Sequence, residues 1–443
     1  MKRIFLYLII CIGVLAACSD DDTFTTSRSN LLTFSKDTVK MDTVFSTVGS
    51  STYTFWVYNY SGDGIRLSSV RLKNGNQTGF RVNVDGSYLD NLIGSVATDL
   101  EVRKGDSIRV FVELTAAENN QDGPQLVEDD LLFLLESGVE QKVNLRSYAW
   151  DALQVRNLVV SKDTLIESAK PVVVYGDGIR VDSGAVLTLR NTTLYFHDGA
   201  GLAVRGTLRT ENVVMRGDRL DRMFDYLPYD RVSGQWQGIV FESPSVDNVL
   251  TDTEIRNAMT AVRVDSAALD STVQRLTMTR CVVHNAKGAG VVSINSHIGL
   301  YYCQLTNTYG DCLAVYGGRA DIDHCTLGQF YPFAADRGYA LVFSDAYDLK
   351  LVCNNSIVTG YADDEVMLYR SDDASRILEY SFSDCLLRTP AVEDDTLNFK
   401  RIQWETPKDS IQGRQHFVVI DETNLYYDFH LDSLSTAIGK GCY

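Results

Sequence analysis

Cysteine is missing between Ser19 and Arg280, so no disulfide can staple the first half of the chain. The seven that follow, Cys281, Cys303, Cys312, Cys325, Cys353, Cys385 and Cys442, are odd in number and leave at least one thiol free. No CxxC pair occurs among them, which argues against a thiolate zinc site, and no metal is expected. After Arg3 there is no basic run, and the formal net charge is −17. Phosphate binding needs clustered Lys and Arg, so nucleic acid drops out as a partner. Gly-x-Ser-x-Gly, HExxH and phosphate-loop motifs are absent too, and no cofactor is called for.

What is present begins with a processing segment. Lys2 and Arg3 precede an apolar run over 4–14 that is too short to be a stable membrane span and has the anatomy of a secretory signal. It ends in Leu15-Ala16-Ala17-Cys18, which resembles the lipobox of bacterial lipoproteins. The resemblance implies cleavage before Cys18, lipid on its thiol and amine, and a chain tethered to the outer membrane, facing the cell surface or the periplasm; an ordinary signal peptide with a chance cysteine is the alternative. The acidic run Ser19-Asp20-Asp21-Asp22 looks like a surface-export signal, or is a solvated linker.

At 443 residues the chain is too long for one ordinary core. The expected division is a signal over 1–17, a linker over 18–29, a sandwich over 30–150 and a solenoid over 151–443. In the sandwich, short alternating segments such as 54–59 (TFWVYN), 65–72 (IRLSSVRL), 80–84 (FRVNV) and 107–114 (SIRVFVEL) are divided by turn residues. Ile108, Val110, Val112 and Leu114 fall on one face, the pattern of a half-buried strand. Seven to nine such strands predict an antiparallel sandwich of immunoglobulin-like type. Its phrases 32–39, 42–45 and 57–59 resemble the sandwich often placed before a β-helix in bacterial surface lipoproteins.

From about residue 155 strands of three to five residues alternate with single Gly, Asp or Asn corners. Cys281, Cys303 and Cys325 open three related phrases at two intervals of 22 residues. A constant period of this size signals stacked coils that bury their apolar side chains against one another. The stretches 184–189, 201–208 and 234–241 resemble the opening coils of the right-handed parallel β-helix family, the pectate-lyase-like superfamily. Coils lie about 4.8 Å apart, so residues one period apart should stack. The three cysteines are then an internal column, flanked by Val283, Leu305 and Leu327. Arg280, Tyr302 and His324 form one outer column, and His284, Thr306 and Gly328 another. The segment 427–431 (YDFHL) resembles the closing segment of bacterial β-helix proteins and should cap the last coil.

The outer face is the candidate binding surface, through Arg280, Tyr302 and His324, unless it is merely a solvated sheet. An insertion over 216–234 adds Tyr226, Tyr229 and Trp236 as sugar-stacking candidates and Asp225, Asp230 and Arg231 as hydroxyl binders; packing on the flank is the plainer reading. A second insertion with Tyr331, Arg337 and Tyr339 is expected on the same side. Residues 307–315 (NTYGDCLAV) resemble the paired-aspartate segment of polygalacturonase-type glycosidases but hold one aspartate, Asp311, where hydrolysis needs two carboxyls. Asp311 and His324 are the catalytic candidates. Arg319, Asp321 and Asp323 are close enough in sequence for a lyase cluster, although Asp323 shares the parity of Cys325 and so points inward or sits at a corner.

The expected function is a lipid-anchored envelope protein that binds glycan or a surface protein along the β-helix without catalysis; the alternative is a polysaccharide lyase or glycoside hydrolase on an extended, uronate-containing glycan. Product release from a polysaccharide panel separates them. Product that disappears in Asp311→Ala identifies an enzyme, and no product on any substrate favours the binding module.

Overall fold

The computed structural model describes residues 23–267 and 273–442, and the processing segment with Cys18 lies outside them. The chain is all-β and divides into two compact units, Met1–Asp151 and Ala152–Tyr443.

The first unit is two sheets around one core. One sheet runs in the order Thr33–Phe34, Tyr53–Tyr58, Ser107–Leu114, Phe80–Val84, Ser87–Tyr88, each pair antiparallel. The other runs Thr38–Lys40, Glu140–Trp150, Gln125–Leu135, Ile65–Leu72, Val96–Val102, with Thr38–Lys40 and Val44–Phe45 both joining Glu140–Trp150 in parallel. Ile108, Val110, Val112 and Leu114 are buried as their period of two requires. They meet Phe55, Phe80, Leu131 and Phe133 in one cluster, so the sheets hold together by burying their facing sides.

The second unit is a right-handed parallel β-helix whose ladder runs through 22 strands, from Leu153–Val160 to Gln403–Trp404. Register shifts at Arg156/Leu158, Gln274/Leu276 and Tyr316/Gly318, but one inner column runs unbroken. Leu194, Met215, Ile255, Val283, Leu305, Leu327, Val358 and Leu387 are each paired with the next, and none is exposed. Each link buries an aliphatic side chain on the one below it, and truncating one such residue to Ala typically costs ~2–5 kcal/mol.

Several strands are longer than the sequence suggests. Val186–Phe196 and Thr207–Gly217 run through a corner instead of stopping at it. The reason is that a single left-handed residue turns the chain while the ladder continues on both sides. Asn191, Asn212, Asp252, Arg280, Tyr302, His324, Asn355, Asp384 and Arg401 stack at this corner with φ between +46° and +57°. The next residue points inward, and at Thr253, Cys281, Cys303, Cys325, Ser356 and Cys385 its oxygen or sulfur lies 2.6–3.5 Å from the carbonyl oxygen two residues earlier. The cysteine column is thus an internal set of weak donors at a turn, interchangeable with Ser and Thr. Burial pushes the Cys303 thiol well above its ordinary value and the Cys312 thiol up to about 12, which makes both poor nucleophiles.

The C-terminal segment does not cap the last coil, as its sequence suggests. Tyr426–Leu431 pairs with Phe417–Asp421 in an antiparallel hairpin that lies against the flank. Phe417, Phe429 and Ala437 bury themselves on Phe330, Ile357 and Leu386. A Cβ on Gly328 would stand 3.1 Å from the Phe429 ring, so the missing side chain leaves the space the hairpin occupies. The tail runs on until the Cys442 N–H reaches Thr326 Oγ1 at 3.2 Å. Strand Thr326–Gln329 is therefore buried on both faces, as is Gln304–Thr306 except that Gln304 keeps 7% of its surface exposed. At the last coils the bore is filled by aromatics, with Phe382 stacked on Phe399 at 5.4 Å and Trp404 beyond it at 5.2 Å, and the final strands are only two residues long, a poor template for edge pairing.

One buried network pins the hairpin. Glu405 accepts from Arg388, from the Gly413 N–H at 2.6 Å and from Thr359 Oγ1 at 2.9 Å, and meets His416 Nε2 at 3.2 Å. Burial alone would raise the Glu405 carboxyl, but the bonds from His416, Arg388 and Gly413 outweigh it and hold it below the usual range. A carboxyl lowered in the folded state adds stability above its unfolded pKa of about 4.3 and loses it as pH falls through the folded value. Glu405→Ala should cost about 3–5 kcal/mol at neutral pH by stranding Arg388. Urea unfolding at pH 7 and pH 4 checks this, and the variant's deficit should shrink at the lower pH.

Candidate functional site

Where the hairpin stops, the outer face opens into a cleft of about 450 Å³. Two stacked columns make its floor, in register from coil to coil. Glu254, Val282 and Gln304 form one, and Arg256 and His284 the other. Outward positions of a strand repeat every second residue, so coil stacking sets these side chains side by side. The walls are Asp230 and Arg231 from the first insertion, Pro332 and Phe333 from the second, and Leu425–His430 from the hairpin. The two insertions touch, with Ser233 Oγ 3.0 Å from the Tyr331 hydroxyl.

The charges in the cleft are tied to one another. Arg216 reaches Asp230 at 2.7 Å, and Arg256 bridges Asp230 at 3.5 Å and Glu254 at 3.1 Å. Arg231 donates to the Asn424 carbonyl across the cleft wall. Asp428 accepts from the His430 backbone and pairs with its Nδ1 at 2.6 Å, which holds the carboxyl below its ordinary range. His284 lies beneath Tyr427 and Phe429, its Nδ1 2.9 Å from Thr306 Oγ1. Burial, helped by Arg256, lowers its pKa to about 4, so at neutral pH the imidazole is uncharged. Phe333 and Tyr426 leave about half their surface bare at the mouth. Asp230 Oδ1, Arg256 Nε, Asn307 Oδ1 and the Tyr427 hydroxyl, all of cleft-lining residues, have no hydrogen-bond partner, so the contacts of Arg216 and Arg256 to Asp230 Oδ1 are ion pairs without hydrogen-bond geometry. Among the described residues no cluster of His, Cys, Asp and Glu could hold a metal.

Of the sequence candidates, Asp230 and Arg231 come to the cleft and the others do not. Trp236 is not a sugar platform: it is fully buried, stacked on Phe196 at 4.2 Å, with its indole N–H bonded to the Arg256 carbonyl at 2.8 Å. Tyr226 is exposed at the tip of the Arg222–Phe224 hairpin, stacked on Phe224 at 5.6 Å, beside Asp225. Tyr229 lies under the Arg219 guanidinium at 3.9 Å. Arg280, Tyr302 and His324 are corner residues. Arg280 forms a two-pronged pair with Asp252 at 2.7 Å, and Tyr302 stacks on His324 at 5.0 Å. Their partners lie within the ladder.

Asp311 is an anchor for the next coil. Its Oδ1 accepts the Tyr339 N–H at 2.9 Å, and burial raises its carboxyl. His324 pairs with Asp323 at 3.0 Å, and Asp323 also holds Asn355, which places it at the corner rather than in the bore. Asp321 is taken up by Arg319 at 2.9 Å and His297 at 3.0 Å, so no open lyase cluster forms. The outer column continuing from His284 through Thr306 and Gly328 is covered by the hairpin, and Thr306 is fully buried.

Sequence reasoning missed Glu254, Arg256, Gln304, Phe333 and Tyr426. Glu254 and Arg256 were legible as outward positions of the phrase 253–258 (TEIRNA), directly below His284 in the repeat. It also missed a Ser-His-Glu set, with Ser435 Oγ 3.0 Å from His416 Nδ1 and Nε2 facing Glu405. All three are buried, the carboxylate is already filled by Arg388, Thr359 and Gly413, and Ser435 Oγ accepts from the Ala437 N–H. A nucleophile must reach substrate, so this set is a latch and not a triad.

The sequence over 151–327 matches the family described as right-handed beta helix region, a match over less than half the chain. No curated protein matches the chain. Among solved structures it is similar to a family 123 glycoside hydrolase from Clostridium perfringens, with 8% identity, 30% of each chain covered and a TM-score of 0.20. It is also similar to BcpA, the major pilin subunit of Bacillus cereus, with 11% identity, 31% of this chain and 44% of that one covered and a TM-score of 0.18. The chain thus spans less than half of either. The catalytic domain of a GH87 alpha-1,3-glucanase in complex with nigerose is aligned over 86% of this chain and 94% of its own, at 8% identity and a TM-score of 0.27. At such scores the likenesses carry no functional argument.

The lowered pKa of His284 gives a direct check on the cleft. A histidine with its folded value near 4 and an unfolded value of about 6.5 binds fewer protons when folded, so its contribution to stability falls as pH drops below about 6.5. Histidine NMR should show one imidazole titrating near 4, absent in His284→Gln. A midpoint near 6.5 for that signal would mean the floor is open to water.

Proposed function

We propose that this chain is an outer-membrane lipoprotein whose β-helix binds a glycan in the cleft over Glu254, Arg256 and His284 without cleaving it. The single observation behind this is the pairing of bare aromatic faces, Phe333 and Tyr426, with a floor of carboxylate, guanidinium, amide and imidazole. Sugar rings present an apolar C–H face and a rim of hydroxyls that both donate and accept, and a site so lined meets both. A protein partner would be better served by a broad apolar patch.

Hydrolysis needs a carboxyl that carries a proton and a second carboxylate at a set distance. Burial does raise the carboxyls of Asp218, Asp311 and Glu365, the last to about 8, but none of the three lines the cleft. Of the three carboxyls that do, Asp230 and Glu254 are paired with arginine and Asp428 is taken up by the His430 backbone N–H and ring. The lyase or hydrolase reading is therefore the weaker one. The parallel pairing of Thr38–Lys40 with Glu140–Trp150 supports reading the sandwich as immunoglobulin-like, and its proposed part is to follow the lipid-bearing Cys18 along the chain.

Glycan-array binding, followed by calorimetry on the hits, tests the cleft. Arg256→Ala and Tyr426→Ala should each weaken binding by about tenfold, or roughly 1.4 kcal/mol, while the thermal midpoint of Tyr426→Ala stays within a few degrees of wild type. Product released from a bound glycan, and lost in Glu254→Gln, would make the protein an enzyme. For the anchor, fatty-acid labelling should disappear in Cys18→Ala, and labelling that persists would remove the lipoprotein reading.

A further inference from the structure

We infer that the cleft selects neutral sugar units and rejects glycans carrying uronate, sulfate or phosphate; the inference rests on the glycan-binding reading and narrows it. An anionic sugar is held by a cation free to face it, commonly an arginine that can offer two parallel N–H bonds to a carboxylate. Among the described residues each cleft arginine is already engaged by an acceptor of the protein itself. Arg216 is ion-paired with Asp230, and Arg256 spans Asp230 and Glu254, so the two guanidinium charges are balanced by two carboxylates from within. Arg231 donates to the Asn424 carbonyl and lies in electrostatic reach of Asp421. His284 is neutral, and His430 is engaged by Asp428.

Seating a carboxylate here would bring it against Asp230, Glu254 or Asp428 without a spare counter-charge. Like charges at contact cost several kcal/mol at an interface. A hydroxyl meets no such penalty, because it donates to the carboxylate edge of Glu254 and accepts from the arginine or amide beside it while the ion pairs stay closed. The chain's net charge of −17 repels polyanions further. Binding of a neutral ligand by closed ion pairs should also be nearly independent of salt, since no counter-ion is released or excluded.

The test compares neutral oligosaccharides of glucan, xylan and mannan type with oligogalacturonate and oligoalginate of the same length, by calorimetry on the full chain at low and high salt. Wild type should bind at least one neutral oligomer with an affinity that changes less than about threefold between the two salts, and should not bind the uronates. Asp230→Asn removes the carboxylate that Arg216 and Arg256 share, leaving Arg256 to Glu254 and one positive charge unbalanced, and should gain uronate binding that weakens as salt rises. Glu254→Gln leaves Arg256 only the longer contact to Asp230, which Arg216 shares, and should also gain uronate binding, which keeps the test decisive if the first variant does not fold. Wild-type binding of uronates, weakening steeply with salt, would overturn the neutral selectivity and leave the glycan-binding reading standing. No binding of any glycan, neutral or charged, would overturn both.

Discussion

Every coil of a parallel solenoid must turn without breaking register and without leaving a carbonyl unsatisfied in a dry bore. In this protein one corner solves both problems with two adjacent residues. The first takes the left-handed conformation, and the nine positions in that column are filled by side chains that bond or stack with neighbours, such as Arg280 on Asp252, Tyr302 on His324 and Arg401 on Asp384. Non-glycine residues adopt this conformation at a cost, which recurs coil after coil and is offset by the continuous pairing on either side. The second residue brings a small weak donor inside, which is why Cys, Ser and Thr alternate there without changing the structure.

Because strands of this face pair in register from coil to coil, side chains on it stand in columns, and what lies over a column decides whether it is core or site. The hairpin Phe417–Asp421 with Tyr426–Leu431 settles this. Over Thr306, Gly328 and Ile357 it converts the outer face into a second core, held by Phe417 and Phe429 and by the buried Glu405 network. Over Arg256 and His284 it stands at the edge and becomes a wall instead. The same two insertions that interrupt the repeat supply the opposite walls, so the cleft forms where three departures from the regular coil converge on one regular face.

The regular part of this design was legible in the sequence and the irregular part was not. The interval of 22 residues between Cys281, Cys303 and Cys325 is enough to place the cysteines inside and Val283, Leu305 and Leu327 beside them, because stacking follows from spacing alone. The alternation in Ser107–Leu114 likewise exposes its buried face. Corner geometry is different, since Arg280, Tyr302 and His324 resemble ligand-binding residues until their partners in the ladder are seen. Trp236 carries the signature of a sugar platform but ends in the bore, because an insertion gives no period from which to read inside from outside. Tyr427 and Phe429 looked like an end cap, yet nothing in a local segment says which distant surface it will cover.

The fold sets out a surface of paired charges and bare rings, and the functional account depends on a sugar fitting that surface as it stands. The most direct measurement is a crystal structure of the full chain with a neutral oligosaccharide. The account predicts a sugar ring above Val282 and Gln304, its hydroxyls on Glu254 and Arg256, one face against Tyr426 or Phe333, and the Arg216–Asp230 pair still closed. Sugar bound elsewhere on the solenoid, or a cleft that opens only when the hairpin is displaced, would contradict it.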